Sequence, residues 1–177
     1  TKTNLEKAKE LLKDSGYSSG FSTYCIYDEG QEFMKPLLNL YKVSLELIGV
    51  NLSLKPISSE SYFNELQSNK HPLKITRYAP WCADPGYALT VSFLSSSLGN
   101  YSNYENAEVD KLINDASFES DSDARFAMLD KAQRIILEES PWVQICNPDF
   151  NLARNSKLSG WVYRTFNHTK AQDFFWN

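Results

Sequence analysis

An alternation of strand and helix patterns constrains this chain more than any other feature. The segment "FSTYCIYD" (21–28) is rich in aromatic and β-branched residues and reads as a strand. Behind it runs a broad apolar stripe, from about Gln31 to Ile48. Met34, Leu37, Leu38, Tyr41, Leu45 and Ile48 keep helical spacing, and Phe33, Leu40, Val43 and Leu47 widen the stripe. Pro36 fits only the first turn of such a helix, so the start is expected later than Gln31, and Gly49 ends it. "NLSLKPI" (51–57) follows as a second strand with Leu52 and Leu54 on one face. Strand, helix and strand in that order predict a crossover unit on a sheet, and so an α/β architecture. A stripe this wide also predicts a helix covered over most of its surface.

Helices bracket this unit. Thr3 and Glu6 fit a capping box ahead of Leu5, Ala8, Leu11 and Leu12, and Gly16 supplies a stop. Ser58 or Ser59 caps a shorter helix through about Gln67, with Tyr62, Phe63 and Leu66 inward. "LKITRYA" (73–79) reads as a third strand, alternating Leu73, Ile75 and Arg77 against Lys74, Thr76 and Tyr78. A long connection holding one short helix then extends to about Asn106. Such connections on a rigid frame are where functional residues concentrate. Two helices come next: "NAEVDKLINDASF" (106–118) with an Asn cap, and "DSDARFAMLDKAQRIILEE" (121–139), whose Asp121 and Asp123 favour a helix N-terminus. Pro141 stops the second. "WVQICN" and "FNLARN" read as two strands joined by a Pro-Asp turn, and "DFFWN" as one more. No repeat, low-complexity segment or dividing linker is visible.

Bulk properties exclude several functions. The 177 residues suit one domain with a single core. A net charge of -4, with basic residues scattered, argues against nucleic acid and against an anionic membrane surface. No apolar run approaches the ~20 residues of a bilayer span, and no signal peptide opens the chain. Cys25, Cys82 and Cys146 lie far apart without a CxxC pairing, which gives no support for zinc. Cys25 and Cys146 fall inside expected strands, as small buried thiols. His71 and His168 stand beside turn-like sequence, and neither GxSxG, HExxH nor a phosphate-cradling glycine loop occurs. Glu138–Glu139 and Asp121–Asp123 lie on helix ends, where charge serves solvation or the dipole rather than acid–base work. No catalytic residue, metal or cofactor is expected.

The segment "RYAPWCADPGY" (77–87) stands apart. Trp81 and Tyr87 offer flat surfaces, Arg77 and Tyr78 end the preceding strand, and Pro80 and Pro85 stiffen the run. Two readings of Asp84 stay open. In one it caps the short helix from Pro85 onward, with Trp81 in the core. In the other its carboxylate waits in an aromatic pocket for a cationic ligand group, with cation–π help from Trp81.

"WCADP", "NYSNYENAEVDKLINDA", "SDSDARFAMLDKAQRIILEESPWVQI", "EKAKELLKDSGY" and "LELIGVNLSLKPIS" together resemble the oligopeptide- and dipeptide-binding proteins of bacterial ABC importers, the family 5 extracellular solute-binding proteins. The five blocks match in order and spacing over nearly the whole chain. The resemblance implies a type II periplasmic binding protein of two lobes, of which residues 1–177 are the C-terminal lobe, a mixed sheet flanked by helices. The last ~15 residues are a candidate for the returning connection. The N-terminal lobe and the signal sequence would lie outside these residues, and the protein would be exported to the periplasm or cell envelope. The implied work is non-covalent: binding a short peptide, closing on it, and presenting it to a membrane permease.

Site roles follow from the same resemblance. Asp84 would pair with the peptide's α-ammonium group. Pro80 to Cys82 resemble the strip whose main chain pairs with the peptide as an added strand. Pro80 departs from the small residue common there and lacks an N–H. Trp81 would wall a side-chain pocket. In some members an arginine shortly before the tryptophan receives the peptide's carboxylate, and period-2 alternation leaves open whether Arg77 or Tyr78 takes that face. Tyr101 and Tyr104 would shape the loop beside the cleft. Cys82 sits where some members form a disulfide, yet no cysteine precedes Cys25 to complete it. Two rivals stand beside this reading: the same scaffold holding a metal chelate or sugar, and an enzyme or protein-interaction domain.

Overall fold

Strand β1 (Phe21–Asp28) runs through the middle of a parallel sheet, with β2 (Val50–Ile57) on one side and β3 (Leu73–Lys74) on the other. These observations come from a computed structural model that describes residues 4–68, 70–79, 81–147, 149, 153–162 and 170–177. The chain divides into two compact units, Thr1–Arg77 and Tyr78–Asn177. The division falls inside the stretch expected to be the third strand, where composition shows no linker.

In the first unit β1 and β2 pair over their whole length, from Phe21 with Val50 to Asp28 with Ile57. The crossover between them is α2 (Met34–Glu46), which begins later than Gln31 with Pro36 in its first turn. Cys25, Tyr27, Met34, Leu38, Leu52 and Ile75 form the core, joined by Leu37, Tyr41, Leu45, Leu54 and Leu73. Cys25 is inert packing, since burial pushes its thiol up to about 12. Where β1 and β2 begin, Gly20 has φ +74, and a Cβ there would collide with the carbonyl of Gly49. Glycine is required because two backbones meet.

Several expectations need correcting. Leu40, Val43 and Leu47 remain 69%, 59% and 58% exposed, so α2 is covered on one stripe only. A helix lying on one sheet face buries an arc of roughly 100°, whatever its opposite side carries. In α3 (Ser59–Gln67) Tyr62 and Leu66, one turn apart, are buried, whereas Phe63 points to solvent. Only Leu73 and Lys74 of the expected third strand pair with β1. Ile75 donates one further bond to the Ile26 carbonyl, but its own carbonyl accepts from the Tyr62 hydroxyl instead of extending the ladder. The cap of α1 (Leu5–Asp14) is Asn4, whose side chain accepts from the Lys7 amide, while Thr3 lies outside the described residues.

Among the described residues the second unit has three α-helices, α4 (Pro85–Phe93), α5 (Ala107–Phe118) and α6 (Ser122–Glu139). Leu89, Phe93, Val109, Ile113, Ala116, Leu129, Ala132 and Ile136 make its core. Asn106 caps α5 as expected; Asp121, expected there for its charge, also caps α6 by accepting the Ala124 amide, and Ser140, left-handed at φ +51, ends α6 just before Pro141. "WVQICN" is not a strand: residues 143–147 carry no ladder, and Cys146 is exposed, not buried. "FNLARN" falls partly outside the described residues, and what is described of it is irregular. The final segment does form a strand, β5 (Phe175–Trp176), antiparallel to β4 (Leu158–Ser159). The α/β class therefore holds, with parallel and antiparallel pairing in separate sheets. Among the described residues, no helix is long and apolar enough to cross a membrane.

Leu52, fully buried against β1 and α2, and Leu40, exposed on α2, test this division of labour. Leu52→Ala is expected to cost about 2–5 kcal/mol through lost burial and a cavity. Leu40→Ala is expected to stay within about 0.5 kcal/mol. Denaturant titration of both variants measures the difference.

Candidate ligand-binding site

Asp84 occupies the N-cap of α4, with extended backbone (φ -126, ψ 124) and Pro85 opening the helix behind it. Its Oδ1 accepts the Tyr87 amide at 2.9 Å. This is the local consequence of Asp-Pro: an N-cap acceptor followed by a residue whose missing N–H costs nothing in the first turn. The same carboxylate is gripped from α6. Arg125 Nη2 lies 2.8 Å from Oδ1 and 2.9 Å from Oδ2. The Asp84 side chain is 37% exposed and that of Arg125 25%. Gly86 makes the approach possible, since a Cβ on it would stand 2.7 Å from Arg125 Nη2 and 2.9 Å from Asp84 Oδ1.

The reading of Asp84 as a carboxylate waiting unpaired in an aromatic pocket is thus corrected. Its oxygens are taken within its own unit, by a cap and by a cation. The Arg125 guanidinium, followed by the Tyr87 amide, holds the Asp84 carboxyl below the usual carboxylate range. The capping reading describes what Asp84 does, although the core position given to Trp81 in that reading does not hold. Trp81 is 77% exposed, and Cys82 and Ala83 beside it are exposed as well. Among the described residues, nothing hydrogen-bonds to the main chain of Trp81, Cys82 or Ala83.

Tyr78 and Arg77 part company. The Tyr78 ring meets Trp142 edge-on at 6.0 Å, Trp142 in turn packs at 4.7 Å on Phe93, and the Tyr78 hydroxyl bonds to Ser92. Burial raises the Tyr78 hydroxyl above its ordinary range, as suits a residue docked on the helical core. Arg77 is exposed in the first unit and makes no ion pair among the described residues. Pro80 lies outside the described residues. Tyr104 does shape a loop: its hydroxyl donates to Glu139 at 2.5 Å, and Asn106 Nδ2 donates to the same carboxylate. Beside it Ser95, Ser97, Asn100, Asn103, Tyr104 and Glu105 line a polar cavity of about 220 Å³. Among the described residues no group of three or more His, Cys, Asp or Glu side chains is placed to hold a metal.

Arg125 is the residue that sequence reasoning passed over. A signal was present. On its own helix it has Leu129 four residues ahead and the capping Asp121 four behind, whose side chain is committed to the Ala124 amide. An arginine without an available partner one turn away looks for one on another element.

Comparison with known proteins gives the family. Residues 1–100 match the model of the bacterial extracellular solute-binding proteins, family 5, middle region, and the chain belongs to that family. It is 26% identical over 141 residues to the probable D,D-dipeptide-binding periplasmic protein DdpA of Escherichia coli (strain K12), a match covering 78% of this chain and 27% of DdpA. It is 27% identical over 166 residues to the glutathione-binding protein GsiB of the same strain, covering 88% of this chain and 32% of GsiB. The chain thus spans about a quarter to a third of these relatives. Among solved structures, the ABC transporter-associated periplasmic binding protein DppA from Helicobacter pylori, in complex with the peptide STSA, superposes with a TM-score of 0.74. That match has 28% identity and covers 80% of this chain and 28% of that one. HbpA2 from Haemophilus parasuis superposes at 0.77 over 98% of this chain and 36% of its own, with 19% identity, and so shares the fold.

The charge pair has a pH signature. A carboxylate whose folded pKa is depressed adds stability that is complete above its unfolded value and lost as pH falls through the folded one. Asp84→Asn keeps a capping side chain but drops the charge. At pH 7 the variant is expected to be less stable by about 0.5–1.5 kcal/mol after allowance for solvent screening. The gap should close as pH falls below about 4. Unfolding curves of both proteins from pH 7 to pH 2 give the measurement, and a gap that widens with acid contradicts the assignment.

Proposed function

We propose that residues 1–177 are the C-terminal lobe of a substrate-binding protein serving a bacterial ABC importer, and that its ligand is a short peptide. The observation that carries this reading is the strip Trp81–Ala83: exposed, without hydrogen-bond partners among the described residues, and anchored at its end by the Asp84 cap. Unpaired main chain on a fixed support can take a peptide as an added strand, which gives affinity without demanding particular side chains. Family membership, and relatives named for dipeptide and glutathione binding, support the same ligand class.

The work is binding and release, with no bond made or broken. Ligand contacts spread over two lobes bias the open–closed equilibrium toward closure, and the closed form is what a permease recognises. The N-terminal lobe of the longer protein supplies the remaining contacts. The protein acts in the periplasm or at the cell envelope, where its relatives work.

Mass spectrometry of molecules released from the full-length protein tests the ligand class. Short peptides are expected, and a sugar or a metal chelate as the retained molecule would overturn the reading. Trp81→Ala is expected to weaken peptide binding about tenfold in calorimetry, with little change in Tm because the side chain is exposed.

A further inference from the structure

The ion pair at the start of α4 raises a question about recognition. A ligand ammonium approaching Asp84 meets a carboxylate that already has a guanidinium on both oxygens and an amide on one. Beyond contact range the two charges of the pair largely cancel, and at contact range three of the roughly four lone-pair positions of the carboxylate are already taken. For Asp84 to serve as an amine hook, Arg125 would have to leave. Two bonds from one guanidinium nitrogen to both carboxylate oxygens oppose departure, and Gly86 leaves the room in which that guanidinium sits. The pair lies in the helical unit, and the strip Trp81–Ala83 leads directly into it. Holding Asp84 therefore holds the end of the strip.

We propose that Arg125 is a positioning residue: by closing on Asp84 it neutralises that carboxylate and fixes the main-chain strip Trp81–Ala83, so that Asp84 does not read the amino charge of the ligand. The inference rests on the peptide-binding reading for its ligand, and on the geometry of the pair for the role of Arg125. Its consequence is a substrate class. As far as this site is concerned, peptides with blocked amino ends are equivalent to free ones, and any preference for a free amine arises from groups elsewhere in the protein.

Two measurements on the full-length protein decide it. In the first, the affinities of one peptide with a free amino end and the same peptide N-acetylated are compared in wild type and Asp84→Asn. The expected result is that both affinities change by the same factor, within threefold. A loss of tenfold or more confined to the free-amine peptide would make Asp84 the amine partner and overturn the proposal. In the second, amide hydrogen exchange is followed without ligand in Arg125→Met and Gly86→Ala. Exchange at the Tyr87 amide is expected to quicken at least tenfold in both, with the amides of Leu129 and Ile136 in α6 unchanged. An unaltered Tyr87 rate would overturn the positioning role. If wild type binds neither peptide, the peptide reading fails, and the exchange rates still decide what Arg125 does.

Discussion

One carboxylate joins two helices that are distant in sequence. Asp84 closes the first turn of α4 through the Tyr87 amide and holds α6 through Arg125. The two bonds reinforce each other. The cap fixes where the oxygens point, and the guanidinium keeps them charged and in place. The exposed strip before Asp84 inherits its position from this junction, and in the same unit the Tyr78 ring rests edge-on against Trp142, which packs on Phe93. If the strip Trp81–Ala83 takes a peptide as proposed, its anchoring at Asp84 lowers the ordering cost of binding.

Much of the fold was legible in the sequence because it depends on local rules. The strand–helix–strand unit, the delayed start of α2 at Met34, and the cap Asn106 all follow from spacing and from which side chains accept main-chain N–H groups. What the sequence concealed depends on contacts across the chain. The third strand stops short because the Tyr62 hydroxyl takes the Ile75 carbonyl, and no pattern within "LKITRYA" reports a tyrosine on another helix. "WVQICN" has strand composition but no partner strand among the described residues, so propensity had nothing to act upon.

The site shows the same limit more sharply. The importance of Asp84 could be read from its aromatic and proline neighbours, and family likeness gave it a ligand role. Neither could show that its charge was already matched, because the matching arginine stands 41 positions later. Charge pairs between distant elements leave only a faint trace, here an arginine without a carboxylate one turn ahead. Gly86 is the other half of that trace: a glycine inside a helix is unfavourable unless something needs the room.

The bare side of α2 has a different consequence. Leu40, Val43 and Leu47 form an apolar ridge in contact with water. Surface of that kind makes a polypeptide adhere to others as concentration rises, even when its interior is sound. Replacing Leu40 and Leu47 with glutamate is therefore expected to reduce self-association without touching the core.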